Sequence, residues 1–134
     1  MKTIITVLAC LALLSAAVSA QTIGDKLSFI KEKYPGGQLG LTKTGYYYAA
    51  ELDNTNITTV YFLDKYMECE AIAINPNTQV NVIAYIEILD KGWSRKDDHT
   101  WITVRNDGEL LKCSMEYVED VGSVFYVTLI KNQN

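Results

Sequence analysis

One histidine, two prolines and three cysteines in 134 residues leave little of the usual equipment for catalysis. His99 is the only imidazole, so no serine or cysteine can be paired with a histidine base except through it. A transition-metal site needs three or four ligands, and Asp97-Asp98-His99 offers one histidine beside two carboxylates. It reads instead as a solvated loop ahead of a strand. The glycines supply no phosphate-binding loop, because Gly36-Gly37 and Gly40 follow a helical pattern where such a loop would follow a strand. Accordingly no catalytic residue, no metal ligand and no cofactor is assigned.

Cationic charge is also scarce. Removing residues 1–20 takes away Lys2 and leaves 11 basic against 16 acidic residues, a net charge near −5. That sign opposes binding to nucleic acid or anionic lipid. Beyond the first 20 residues no stretch approaches the ~18 uninterrupted apolar residues of a spanning helix. Residues 1–20 themselves have the three parts of a cleaved signal peptide. Lys2 is the positive start, Ile4 to Leu14 the apolar run, and Val18-Ser19-Ala20 the small residues at the cut. A lipid-attachment reading at Cys10 competes, but only nine residues precede that cysteine. The expectation is a secreted or periplasmic protein whose mature chain, 21–134, is one domain of ordinary size.

The mature chain is organised around residues 75–93. Asn75 is the expected cap and Pro76 suits the first helical turn. Val82, Tyr85, Ile86, Leu89 and Trp93 recur along one face, Val80, Ile83 and Ile88 widen that stripe, and Gly92 is the expected left-handed stop. Ile23, Leu27, Ile30 and Tyr34 define a shorter helix over 23–34, ended by Pro35-Gly36-Gly37. Residues 36–45 and 94–98 read as loops.

Strand patterns run over 46–52, 57–63 and 66–74, then 99–105, 109–117 and 123–131, with Asn106-Asp107-Gly108 as a hairpin turn. Both halves thus read helix, strand, strand, strand at an offset of about 55 residues, the pattern of an internal repeat. The expected fold is α+β, a tandem αβββ-αβββ layout with an antiparallel six-stranded sheet and two helices packed on one face. In element order alone this is similar to β-lactamase-inhibitor-type proteins, which implies an open sheet face that binds a partner.

Alternation places Tyr47, Ala49, Val60, Phe62, Cys69, Ala71, Ala73, Ile102, Val104, Leu111, Cys113, Phe125 and Val127 under the helices. Cys69 and Cys113 then lie on strands that are not neighbours. Next-but-one strands are about 9–10 Å apart, beyond the ~7 Å Cα limit for a bridge. Two buried free thiols are expected.

The other face collects Tyr46, Tyr48, Tyr61, Trp101 and Tyr126 among charged residues, the expected binding surface for a protein or carbohydrate ligand. Two rivals stand beside that reading. One is a small carboxylate-dependent hydrolase using Glu68, Glu70 and Glu116; the other is a purely structural accessory protein. No pattern specifies an oligomeric state.

Overall fold

Residues 22–52 and 57–130 are described by a computed structural model. The leader expected over 1–20, the turn expected over 53–56 and the tail over 132–134 lie outside the described residues. In chain order the elements are α1 (Leu27–Lys33), β1 (Gln38–Thr42), β2 (Gly45–Leu52), β3 (Ile57–Leu63), β4 (Cys69–Asn75), α2 (Gln79–Gly92), β5 (Ser94–Asp97), β6 (Thr100–Val104), β7 (Leu110–Val118) and β8 (Gly122–Leu129).

All the strands join one antiparallel sheet in the order β1-β2-β3-β4-β8-β7-β6-β5. Among the described residues the sheet has eight strands, which corrects the six expected. The two additional strands are its outermost ones, β1 within the 36–45 segment and β5 within 94–98. Their sequences explain the miss. Gln-Leu-Gly-Leu-Thr carries a mid-strand glycine, and Ser-Arg-Lys-Asp is exposed at every position. An edge strand has a neighbour on one side only, and short or charged edges are common. The class stays α+β, but each half is αββββ, and β4 and β8 pair at the seam between halves.

The central helix forms for reasons partly other than those expected. Thr78 is the cap; its side chain accepts a hydrogen bond from the Asn81 N–H at 3.1 Å. Asn75 instead accepts from the Asn77 N–H at 3.0 Å, an Asx turn that steers the chain into the helix. Gly92 stays helical, and the chain leaves through Trp93 in an extended conformation. Asn81, Val82, Tyr85, Ile88 and Leu89 form the buried stripe, while Val80 and Ile83 face outward. The first helix is one turn shorter at its start than its pattern suggests. Residues 24–27 are instead held by backbone bonds to β4 and the turn before it: Gly24 N–H to Cys69 O, Cys69 N–H to Asp25 O, and Leu27 N–H to Met67 O, at 2.8–2.9 Å.

Cross-strand partners fix which side chains lie under the helices. One row across the sheet reads Tyr48, Tyr61, Ile72, Val127, Cys113, Trp101. Both helices pack on this row and its neighbours. Tyr34 stacks on Tyr61 with ring centroids 5.6 Å apart, and Tyr85 stacks on Phe125 at 5.4 Å. Leu111, Cys113, Phe125 and Val127 lie where alternation put them. In β2, β3 and β6 the faces are reversed, so Tyr48, Tyr61 and Trp101 are covered, and Tyr47, Ala49, Val60, Phe62, Ile102 and Val104 are on the other side.

In β4 the cause is a bulge. Phe62 faces Ala71 but Leu63 faces Cys69, so Glu70 is an extra residue. Cys69 is therefore buried with Ile72 and Ile74, and Ala71 and Ala73 change sides. The thiols are free and buried, with β8 lying between their strands.

Truncation should separate these layers. Phe125→Ala, which removes a ring packed against both Tyr85 and Trp101, is expected to lower unfolding free energy by about 3–5 kcal/mol. Ile83→Ala on the outer helix face should change it by less than about 0.5 kcal/mol. Urea denaturation of both variants checks the ordering.

Candidate binding surface

The five aromatic residues expected to share a surface do not. Trp101 is 0 % exposed, and Tyr48 and Tyr61 are 2 % exposed, all beneath the helices. Tyr46 is exposed, but it lies on the helix side near the β1 edge, opposite Leu41. Of the five, Tyr126 alone lies on the uncovered face, half-buried opposite Ala73 and Ser114.

The buried three are held by their polar tips, which is how a sheet can bury Tyr and Trp without orphaned polar atoms. The Tyr48 hydroxyl donates to Tyr34 O at 2.5 Å and accepts from the Gly37 N–H at 3.0 Å. Gly37 is small by necessity, since a Cβ there would overlap the Tyr48 ring. The Trp101 indole N–H donates to Asp90 Oδ1 at 2.8 Å, and the Arg95 guanidinium lies 5.2 Å from the indole ring while pairing with Asp90 at 3.3 Å.

With those rings inside, the open face takes the alternate residues. One row reads Tyr47, Phe62, Ala71, Thr128, Lys112, Ile102, and the next reads Ala49, Val60, Ala73, Tyr126, Ser114, Thr100. Most are partly exposed. In the first row bulky apolar groups sit toward one half and small residues at the β4–β8 seam, while Tyr126 occupies the seam in the second; Lys112 and Glu116 bring exposed charge toward the other half. The Tyr47 ring lies over Gly40 of β1, which has no side chain to lift it. Sequence reasoning missed Tyr47 and Phe62 because both faces of β2 and β3 are apolar. The usable signal was Thr59 and Tyr61 in register with Ala50 and Tyr48, a set that reverses both strands together.

A separate cleft of about 430 Å³ opens at one end of the sheet, lined by Ile23, Gly24, Asp64, Glu68, Cys69 and Glu70, with Ala71, Thr128 and Leu129. It brings Glu68 and Glu70 together. It does not bring in Glu116, which faces Val124, roughly 13 Å farther along β8 than Thr128. Asp64 is committed to its turn, accepting from the N–H groups of Tyr66 at 2.8 Å and Glu68 at 3.1 Å. Among the described residues no group of three His, Cys, Asp or Glu side chains is placed to hold a metal ion. His99 lies in the turn between β5 and β6, and its backbone N–H, bonding Asp97 at 2.8 Å, is the main influence holding that carboxyl below its usual range. Cys69 adjoins the cleft, but burial pushes its thiol up to about 12, so it stays a thiol at neutral pH. Burial does the same to Cys113, also to about 12. Neither is an activated nucleophile.

Among the described residues, fold and surface together define an α+β protein with one sheet face largely covered by helices and the other left uncovered. No protein-family model, no curated protein and no solved structure matches the chain. Among the described residues no helix is long and apolar enough to cross a membrane.

The two thiols carry a pH signature. Their folded values lie above the unfolded value near 9. The unfolded chain therefore releases these protons first as pH rises, and the stability the thiols contribute, fully present below pH 9, is lost toward pH 12. Denaturant titrations should show wild type losing stability across that window more steeply than the Cys69→Ala/Cys113→Ala double variant. Equal slopes would contradict the assignment.

Proposed function

We propose that the protein is a secreted or periplasmic, non-catalytic binding module, and that its ligand is the surface of another protein held on the helix-free sheet face. The observation that carries this reading is the continuous, partly exposed band running from Tyr47 and Phe62 through Ala71 and Thr128 to Ile102. It crosses the six strands from β2 to β6, about 24 Å at the spacing of paired strands. That breadth suits a macromolecular surface better than a small ligand, whose site is a concave pocket. Tyr and Phe supply stiff contact area, and the flanking Lys112 and Glu116 set orientation at little energetic cost. The net negative charge opposes binding to nucleic acid. The export assignment rests on the leader pattern of residues 1–20.

A carboxylate-dependent hydrolase is the weaker reading. Its three carboxylates fall into two places, Glu68 and Glu70 at the cleft and Glu116 on the open face.

The test is retention. Immobilised wild-type protein is expected to retain a protein from the medium of the cells that make it. Tyr47→Ala/Phe62→Ala should lose that retention by roughly tenfold or more while its thermal unfolding stays cooperative. Retention unchanged in the double variant would remove the open face as the site.

A further inference from the structure

The two edges of the sheet are built differently. β5 carries Arg95, Lys96 and Asp97 within four residues, all exposed. Such charge is the common protection of an edge against pairing with another chain. β1, Gln38–Thr42, carries none, and its two leucines are 45 % and 66 % exposed at Leu39 and Leu41. Among the described residues it pairs with β2 alone and ends the sheet.

The backbone geometry says which groups remain unpaired. Thr42 and Gly45 close a two-residue turn, so alternate residues Thr42, Gly40 and Gln38 direct their N–H and C=O toward β2. Leu39 and Leu41 direct theirs outward. Their side chains share the helix side with Tyr46 and Tyr48, because Leu39 faces Tyr48 and Leu41 faces Tyr46. The exposed leucines and the outward backbone groups thus belong to the same two residues.

We infer that β1 is a self-association edge, pairing antiparallel with β1 of a second copy about a twofold axis at Gly40. This registry is self-complementary. Leu39 falls opposite the second copy's Leu41, and Leu41 opposite its Leu39, each pair exchanging two main-chain hydrogen bonds. Each exposed leucine is then flanked by an aromatic of its own copy and a leucine of the other. Gln38 meets Thr42, and Lys43 meets Gly37, so no like charges are set against each other. Gly40 at the axis leaves the two backbones free to approach. The product is a continuous sheet of sixteen strands whose open faces lie on one side, so the two ligand surfaces of a dimer are presented together. A single strand pair joins the two copies, so the dimer forms in proportion to concentration and is not obligate.

Sedimentation equilibrium on the whole protein across a wide concentration range tests this. Wild type is expected to shift from monomer toward dimer as concentration rises. Leu41→Lys should weaken the association constant by roughly tenfold or more, by setting a lysine against the second copy's Leu39 in each of the two symmetric pairs. Leu39→Pro should do the same, by removing an outward donor that the ladder to β2 does not use. Phe62→Lys, on the open face, should leave association unchanged. A wild type that stays monomeric throughout overturns the inference. So does association that survives both β1 variants, or that is abolished by Phe62→Lys alone. The retention experiment on the open face reads out separately, since Leu41→Lys leaves that face intact.

Discussion

The fold depends on two aromatic side chains that occupy corresponding places in its halves. Tyr48 on β2 and Trp101 on β6 lie in one row of the sheet, related across the β4–β8 seam where Ile72 faces Val127. Each is fully covered, and each reaches from the sheet to a helix through its polar tip. Tyr48 bonds the backbone just past the end of α1, and Trp101 bonds Asp90 in the last turns of α2. A buried phenol or indole without a partner would cost on the order of 1–3 kcal/mol. The two hydrogen bonds therefore do more than satisfy the groups. They fix where each helix may end, and so which strip of sheet each helix covers.

Once those rings are committed inward, the composition of the open face follows. Strand alternation sends Tyr47, Ala49, Val60, Phe62 and Ile102 outward, with no freedom to trade places. A face this apolar on an antiparallel sheet is normally solvated by polar residues. Here the polar residues are concentrated toward the second half, and the first half presents aromatic and aliphatic groups. Which residues the open face presents is thus a consequence of the same pairing that anchors the helices, and the two are coupled through strand parity. A slip of one residue in β2 or β3 would exchange both faces at once.

Much of the layout was legible in the sequence. The central helix, the six inner strands as segments of the chain, the Asn106–Gly108 hairpin and the separation of Cys69 from Cys113 all follow from periodicity and turn chemistry. What was not legible has specific causes. Residues 38–42 and 94–97 lack a strong alternating pattern because an edge strand is shaped by one neighbour. The parity of β2 and β3 runs against local hydrophobicity, because Val60 and Phe62 are more hydrophobic than Thr59 and Tyr61 yet lie on the open face. Side chains with polar tips can go inward when a helix terminus supplies the partner, and nothing local to β3 announces that Tyr61 stacks on Tyr34. Trp101 was misplaced for the same reason, its partner Asp90 lying on another element.

The bulge at Glu70 shows the limit of pattern reading most clearly. Cys69, Ala71 and Ala73 alternate without interruption, yet the extra residue moves the inward set to Cys69, Ile72 and Ile74. The cause lies just outside the strand. Backbone bonds from Gly24 and Asp25 hold Cys69, while Asp64 and the left-handed Met67 fix the turn before it. The start of β4 is thus set by the incoming chain, and its remainder by β3 and β8, and the two registers differ by one residue. Glu70 absorbs the difference, which places it at the mouth of the cleft. Its position there is explained by strand geometry alone, and so it gives no support to a catalytic role for the carboxylates around it. The open face differs in kind: strand parity decides which positions it presents, while the apolar character of the residues at those positions is a separate property of the sequence.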